Sequence, residues 1–439
     1  MIDKIIWTYN FFYEKIKLIK YLFSKKGLSL MNSEMLEKYA TLAVKTGVNI
    51  QKNQTLVLRT PIECADFARI IANKAYDLGA KEVVVLWSDE KLSKITYLKG
   101  ADEIFDSMPK WQVDSLVSYA REGAAFLSIF ASDPELMKDV DPKRIARASK
   151  SRSIALKEFY ERTMTNKNSW SIVAIPTIGW ATKVFPNLTK DEAVEKLWDA
   201  IFKIVRVDKM DPVKAWEEHT NNLKEKMDFL NSKSFKRLHY KNSKGTNLTI
   251  ELPEGHIWAG GAEKTQDGIE FIANIPTEEV FTLPKKTGVN GVVHSSKPLN
   301  YNGNLIDNFS LTFKDGKVCD FTAEKGYDTL KHLIETDEGS HYLGEVALVP
   351  YHSPISLSGI IFFNTLFDEN ASCHLALGKA YAACIKNGEN YTEKELDKLG
   401  VNNSLTHVDF MVGTKDLNIL GETKDGEKCQ IFLNGDWAF

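Results

Sequence analysis

The stretch Thr55-Leu56-Val57-Leu58-Arg59 begins a pattern that decides the fold of the first half of the chain. It is short and apolar, which is typical of a strand that is buried on both faces. Residues Ile62–Leu78 then show helical spacing, and Gly79 is a typical helix stop. Another apolar run, Lys81–Trp87, carries consecutive valines at its centre, which favours a second strand.

The same alternation of strand-like and helix-like segments continues to about residue 205. Its later members are the helix-like Pro109–Glu122, the apolar Ala124–Phe130, the helix-like Arg144–Thr163, the strand-like Ser171–Ile175 and the helix-like Leu188–Val205. Thr189 is placed to cap the last of these helices. Repeated β-α units with continuous apolar strands predict an α/β domain with a mostly parallel sheet covered by helices.

The pattern changes after Val207. Pro212–Asn231 predicts a long charged helix, and antiparallel patterns follow it. Asn242-Ser243-Lys244-Gly245, Asp315-Gly316 and Asp425-Gly426 are hairpin turn sequences. One long helix, Asn370–Lys386, is predicted to interrupt the strands. We therefore expect an α/β domain at residues 31–210 and an α+β domain rich in antiparallel strands at 211–439.

Composition excludes several classes of protein. The 439 residues are 43% hydrophobic and 26% charged with a net charge of −3, which is typical of a globular protein and not of a nucleic-acid binder. The sequence contains no run of 18 uncharged apolar residues, so no membrane span is predicted. The five cysteines lack any Cys-x-x-Cys pair, which favours a reducing, cytoplasmic location.

Residues 1–30 precede the α/β pattern and have two interpretations. Several aromatic residues lie among lysines, as in a basic amphipathic helix on a membrane surface. Alternatively, Met31 is the true start and the preceding segment is a disordered extension or an over-long reading frame.

The histidines and several acidic residues of the second half suggest a site. No histidine precedes His219. His407 and Asp409 are two apart in a strand-like stretch, so their side chains share one face. His374 and Tyr381 are seven apart on the predicted helix, which also places them on one face. Glu345 opens an apolar strand.

Glu278 and Glu279 are adjacent in an extended segment, so only one of them can enter a common site. Each of these patterns alone has an ordinary explanation, such as a hydrogen-bonded His-x-Asp pair, a buried helix histidine or solvated loop glutamates. Taken together, two histidines and three carboxylates on apolar segments favour a pair of divalent cations. Three carboxylates would offset most of the charge of the two ions and leave a Lewis-acidic centre.

The segments Ile275–Thr282, Asp337–Ser358 and Ile361–Leu377 resemble those of the aminopeptidase T / aminopeptidase S family of dinuclear metallo-aminopeptidases. The most distinctive parts are Asp337-Glu338-Gly339-Ser340-His341-Tyr342-Leu343-Gly344-Glu345-Val346-Ala347 and Asn364-Thr365-Leu366-Phe367-Asp368-Glu369-Asn370-Ala371. The resemblance runs from about Met31 to Phe439.

This resemblance implies five metal ligands: Glu279, Glu345, His374, His407 and Asp409. It also implies a site tyrosine, Tyr381, and a homodimer whose active sites face an enclosed cavity. We expect hydrolysis of the first peptide bond of short peptides with a free N-terminus by water activated by two divalent ions. Tyr381 would donate a hydrogen bond to the oxyanion, and Glu279 or Glu345 would accept the proton of the water.

The sequence leaves some alternatives open. Zinc, cobalt and manganese all suit a ligand set of histidines and carboxylates. The same centre would also serve a metal-dependent amidohydrolase acting on non-peptide substrates, or an inactive metal-binding homologue.

Overall fold

The computed structural model describes residues 33–301 and 304–439. The two interpretations of residues 1–30 lie outside this range. Within it, no helix has both the length and the hydropathy needed to cross a bilayer.

The first part of the described chain alternates helices and strands. Residues 33–42 form helix α1, which continues into a π-helical turn at Ala43–Gly47. The strands are β1 Thr55–Pro61, β2 Glu82–Ser88, β3 Ala125–Phe130 and β4 Trp170–Ala174. The helices are α2 Ala65–Asp77, α3 Glu90–Lys99, α4 Lys110–Arg121, α5 Pro142–Ala155, α6 Lys157–Met164, α7 Ile178–Val184, α8 Lys190–Ile204 and α9 Pro212–Lys233.

The prediction of a parallel sheet is confirmed. The strand order is β2-β1-β3-β4-β10, where β10 is the later strand Asn274–Ile275, and each neighbouring pair is parallel. Leu56 and Leu58 of β1 pack into one hydrophobic core and Val57 into another, because helices cover both faces. Thr189 caps α8 in a capping box with Glu192, as expected for that sequence.

The later part of the described chain is mostly antiparallel. Its strands, beside β10, are β5 Arg237–Lys241, β6 Asn247–Glu251, β7 Ala259–Gly260, β8 Glu263–Lys264, β9 Glu270–Phe271, β11 Val280–Thr282, β12 Val289–His294, β13 Leu299–Tyr301, β14 Asn304–Lys314, β15 Lys317–Lys325, β16 Leu343–Leu348, β17 His374–Gly378, β18 His407–Met411, β19 Asn418–Glu422, β20 Lys428–Leu433 and β21 Asp436–Trp437. Its helices are α10 Tyr327–Ile334, α11 Pro354–Ser358, α12 Thr365–Asp368 and α13 Glu393–Lys398.

Two antiparallel sheets pack together in this part. The larger has the order β13-β14-β12-β6-β5-β19-β20-β21, with β15 paired to β14. The smaller has the order β18-β17-β16-β11-β7. One hydrophobic core joins them, with Ile250 and Leu311 from the larger sheet and Val346, Leu375 and Phe410 from the smaller.

The three predicted hairpin turns connect β5 to β6, β14 to β15 and β19 to β20. The fold class of an α/β part followed by a part rich in antiparallel strands is therefore confirmed. The domain boundary near residue 210 stays a prediction. Two later segments contribute to the first core, namely β10 and the residues around Phe362 and Phe367.

The predicted helix Asn370–Lys386 is wrong. This segment contains the 3-10 turn Glu369–Ala371, the strand β17 and a second 3-10 turn, Ala382–Cys384. Its alanines and leucines favour a helix in isolation. However, β17 pairs with β16 on one side and β18 on the other and is buried along its whole length. Tertiary pairing therefore overrides the local helix propensity.

The hydroxyl of Tyr39 provides a test of the packing between α1 and β4. It donates to the Ala174 carbonyl at 3.0 Å and accepts from the Ala174 amide at 3.1 Å in a fully buried setting. We expect Tyr39→Phe to lower the free energy of unfolding by about 1–3 kcal/mol, because two buried backbone groups lose their partner. Urea unfolding followed by tryptophan fluorescence measures the change.

Tyr240→Phe is the matched control. Tyr240 is 1% exposed, and its hydroxyl makes no hydrogen bond within residues 33–301 and 304–439. Its removal should leave stability unchanged or slightly raised. Equal losses from the two substitutions would contradict the assigned role of the Tyr39 hydroxyl.

Candidate metal centre

The smaller antiparallel sheet carries most of the predicted ligands. Glu345 lies in β16, His374 is the first residue of β17, and His407 and Asp409 both lie in β18. Glu279 directly precedes β11. These four strands are consecutive neighbours in the sheet, so residues that are up to 130 positions apart in sequence become adjacent.

The strand register places these side chains on one face. Glu345 pairs with Ala376, which pairs with Asp409. His407 pairs with Gly378. Because directly paired residues point to the same face and side chains alternate along a strand, His374 shares that face with Ala376. The opposite face, which includes Val346, Leu375 and Phe410, lies in the hydrophobic core.

The side chains form two groups that share one carboxylate. Glu279, Glu345 and His374 form the first, and Glu345, His407 and Asp409 form the second. Within each group the possible ligand atoms lie within 4.8 Å of one another. His374 Nε2 is 3.2 Å from Glu279 Oε2 and 3.7 Å from Glu345 Oε1. His407 Nε2 is 3.2 Å from Glu345 Oε2 and 3.4 Å from Asp409 Oδ1.

Both imidazoles are oriented through their other ring nitrogen. Nδ1 of His374 lies 3.1 Å from the Ser372 carbonyl, and Nδ1 of His407 lies 2.7 Å from the Lys379 carbonyl. A carbonyl can only accept, so Nδ1 carries the proton in both rings and donates it. In the neutral ring Nε2 then presents its lone pair to the carboxylates, which is the arrangement of a histidine that binds a metal.

The residues fit a pair of cations. Among the described residues, Glu279 Oε2 and Asp409 Oδ1 are buried oxygens that accept no hydrogen bond. Buried charged oxygens of this kind are costly unless something satisfies them. Histidine nitrogen and carboxylate oxygen are ligand atoms that zinc and similar divalent ions bind.

The mutual electrostatic effects in the cluster are large. Burial raises the pKa of Glu345, but the two histidines outweigh this and hold it at about 2. Burial lowers the pKa of His407, but Asp409 and Glu345 raise it to about 11. The carboxylates therefore attract positive charge to these imidazoles. A divalent cation supplies that charge in place of protons, so the two compete for the same atoms.

Tyr381 reaches the site by a route that differs from the prediction. The structure places it after the end of β17, not two helical turns from His374. β17 ends at Gly378, where φ is +113° and an added Cβ would lie 2.1 Å from the Thr406 carbonyl oxygen. The close approach of Thr406, the residue before β18, thus requires glycine at this position.

The Tyr381 ring lies 4.8 Å from the His407 ring and 6.4 Å from the Phe281 ring, measured between centroids. Burial and then the nearby carboxylates, Glu345 first, raise its pKa. The phenol is therefore neutral and available as a hydrogen-bond donor.

All six predicted residues line one cavity of about 500 Å³. Its walls come from both parts of the chain. Met164 and Trp170 belong to the α/β part, Met227 to α9, and Trp258 and Phe281 to the antiparallel part. A largely apolar space with a polar cluster on one wall is typical of a site for a small ligand.

Two further carboxylates line this cavity, Glu263 and Glu369, and the sequence indicates neither of them as a site residue. Glu369 lines it beside the predicted ligands. Burial raises its pKa well above the usual value, and Glu279 and Asp409 raise it further. Glu369 belongs to the distinctive stretch Asn364–Ala371, but its neighbour Asp368 is equally acidic. Nothing in the local pattern distinguishes the carboxylate that enters the cavity.

Comparisons with known proteins identify the family of this chain. Residues 32–437 match the model of the M29 peptidase family, described as thermophilic metalloprotease. Aminopeptidase 2 of Geobacillus stearothermophilus is 55% identical over 92% of this chain and 98% of its own. Aminopeptidase AmpS of Bacillus subtilis is 52% identical over 93% and 99%. The solved structure of wild-type AmpT from Thermus thermophilus matches with a TM-score of 0.87 at 40% identity, over 93% of this chain and all of that one.

Proposed function

This chain belongs to the M29 family of metalloproteases, and we propose on that premise that it is a metal-dependent aminopeptidase that removes the N-terminal residue of short peptides. The relatives that carry this activity in their names match this chain over 98% and 99% of their own length. The single observation that carries the proposal is that Glu345 belongs to two groups of possible metal ligands inside one cavity.

We propose two divalent ions per chain, which are zinc, cobalt or manganese. Glu279, Glu345 and His374 would hold one, and Glu345, His407 and Asp409 the other. The three carboxylates would leave one net positive charge on the pair. Bound ions would supply Lewis acidity, which lowers the pKa of water and polarises a carbonyl group.

The protein side chains have separate roles in this proposal. Either Glu279 or Glu345 would accept the proton that the attacking water loses. Tyr381, which stays neutral in its buried position, donates a hydrogen bond to the developing oxyanion. The apolar wall formed by Trp258 and Phe281 would receive the side chain of the residue that is cleaved.

The size of the cavity supports short peptides as substrates, because about 500 Å³ holds only a few residues. We further propose that two copies of the chain associate, as the family resemblance implies. The five cysteines, which form no disulfide, suit the reducing cytosol that we propose as the location of the enzyme.

A pair of chromogenic substrates tests the activity. We expect the metal-loaded protein to cleave leucine p-nitroanilide about 10–100-fold faster than its N-acetylated form, because loss of a charged amine contact costs about 1.5–3 kcal/mol. Equal rates on both compounds would favour the amidohydrolase alternative. Failure to cleave either compound or a dipeptide panel, with both ions bound, would favour the inactive homologue.

The shared role of Glu345 can be tested by counting ions. The wild type should bind two per chain. Glu345→Gln should weaken both by more than about tenfold, whereas Asp409→Asn should weaken mainly one, because only Glu345 belongs to both groups. Competition with a chromophoric chelator measures both affinities.

Glu338→Gln is the matched control, since this neighbouring glutamate has a side chain that is 68% exposed and pairs with Lys317. It should bind both ions as the wild type does. Full ion binding and turnover in Glu345→Gln would rule out the assigned centre.

Tyr381→Phe tests the oxyanion role. We expect kcat to fall about 100-fold to 1000-fold, with KM and ion content nearly unchanged, because the hydrogen bond forms chiefly in the transition state. Tyr391→Phe, an exposed tyrosine ten residues later in the chain, is the control. An unchanged kcat in Tyr381→Phe would show that its ring only packs against His407 and Phe281.

A further inference from the structure

The two adjacent glutamates of the predicted ligand segment have opposite surroundings. Glu279 contacts His374 in the metal centre, whereas Glu278 points to the other side of the backbone. Glu278 is 3% exposed, and neither of its oxygens belongs to a ligand group among the described residues. Its two carboxylate oxygens lie 2.8 and 3.0 Å from Nη2 of Arg206, at the end of the α/β part.

The backbone between β10 and β11 lacks sheet pairing. β10 ends at Ile275 and β11 begins at Val280, so residues 276–279 lie between the two sheets. Side chains from other elements hold this segment. Nε2 of His219, on α9, contacts the Thr277 carbonyl at 2.8 Å, and the Glu278 amide donates to Asn370 Oδ1 at 2.7 Å.

Arg206 and His219 form one connected unit. Nη2 of Arg206 lies 3.2 Å from Nδ1 of His219, so the guanidinium donates to Nδ1 and His219 donates from Nε2 to Thr277. The guanidinium also stacks over the Trp216 ring at 5.3 Å, and the Trp216 indole donates to the Val205 carbonyl at 2.8 Å. One unit therefore contacts both the Thr277 carbonyl and the Glu278 carboxylate, which immediately precede Glu279.

We propose that Arg206 and His219 are positioning residues for the metal centre. They hold the Glu279 carboxylate in place by binding Glu278 and Thr277 on the side of the backbone that faces away from the metal ligands. The inference rests on the proposed metal-dependent function. It predicts a local effect, because only one of the two ligand groups contains Glu279. The ion bound by Glu279, Glu345 and His374 should depend on Arg206, whereas the ion bound by Glu345, His407 and Asp409 should not.

Stability alone is a weak explanation for this ion pair. Replacing a buried ion pair with apolar side chains of similar volume is often neutral or stabilising, whereas removing one partner alone is strongly destabilising. The Arg206 and Glu278 side chains are 13% and 4% exposed, so this rule applies to them. An apolar pair could therefore restore stability, but it could not replace the directional contacts that Arg206 makes with residue 278 and with His219.

The test measures metal affinity in two single variants, each of which should retain only one of the two ion sites. In Asp409→Asn, which retains the ion at Glu279, adding Arg206→Met should weaken zinc binding by about 10–100-fold, the range for residues that orient metal ligands. In Glu279→Gln, which retains the other ion, the same addition should change zinc affinity less than about threefold. Competition with a chromophoric chelator gives both values without any substrate.

Two further variants separate positioning from folding. Arg206→Met with Glu278→Leu should recover the thermal unfolding midpoint of the metal-free protein and still bind the first ion weakly. Arg237→Met, which removes the Arg237–Glu251 ion pair of the larger sheet, should leave both ion affinities unchanged.

Three results would overturn the proposal: equal loss in both single variants, no loss in either, or recovery of ion affinity together with stability in the Arg206→Met, Glu278→Leu variant. A wild type that binds no ion would instead refute the metal centre, and this inference with it. A wild type that binds two ions but cleaves no peptide would refute only the proposed activity.

Discussion

The antiparallel pairing of β16, β17 and β18 is the constraint on which the centre depends. The strand register places Glu345 directly in line with Asp409 across Ala376. A shift of any of these strands by one residue would point its ligand side chain toward the hydrophobic core instead of the cavity. That core prevents such a shift, because it buries the alternate residues of the same strands. One face of the sheet therefore fixes the geometry of the other.

Burial and charge oppose each other at this centre. Three carboxylates and two imidazoles lie close together in a largely buried cavity, where neighbouring negative charges repel strongly. The paired strands behind them hold the side chains in this arrangement, and bound cations would relieve the repulsion. Glu278 would add another negative charge one residue away, but Arg206 pairs with it on the far side of the segment. The negative charge that would attract a cation thus comes from the carboxylates inside the cavity.

Much of the fold follows from local patterns in the sequence. Apolar runs with β-branched residues, such as Val83–Val85, form strands of the parallel sheet, and Asp-Gly pairs form hairpin turns. Segment Asn370–Lys386 shows where local patterns fail. Its composition favours a helix, yet two neighbouring strands pair with its central part. The candidate site shows the same limit, because Glu369 and Arg206 approach it through contacts between segments that are distant along the chain.

The sequence by itself determined the order of α/β and antiparallel parts, since the period of hydrophobic residues reports the local backbone. It also identified the side chains that the family resemblance implies as ligands, because polar residues in apolar runs need a partner. Only the tertiary structure decided that Glu345 belongs to two ligand groups, that Glu278 pairs with Arg206 outside the cavity, and how Tyr381 reaches the cavity. These outcomes depend on strand register and on contacts across the fold, and neither is encoded in any short stretch of residues.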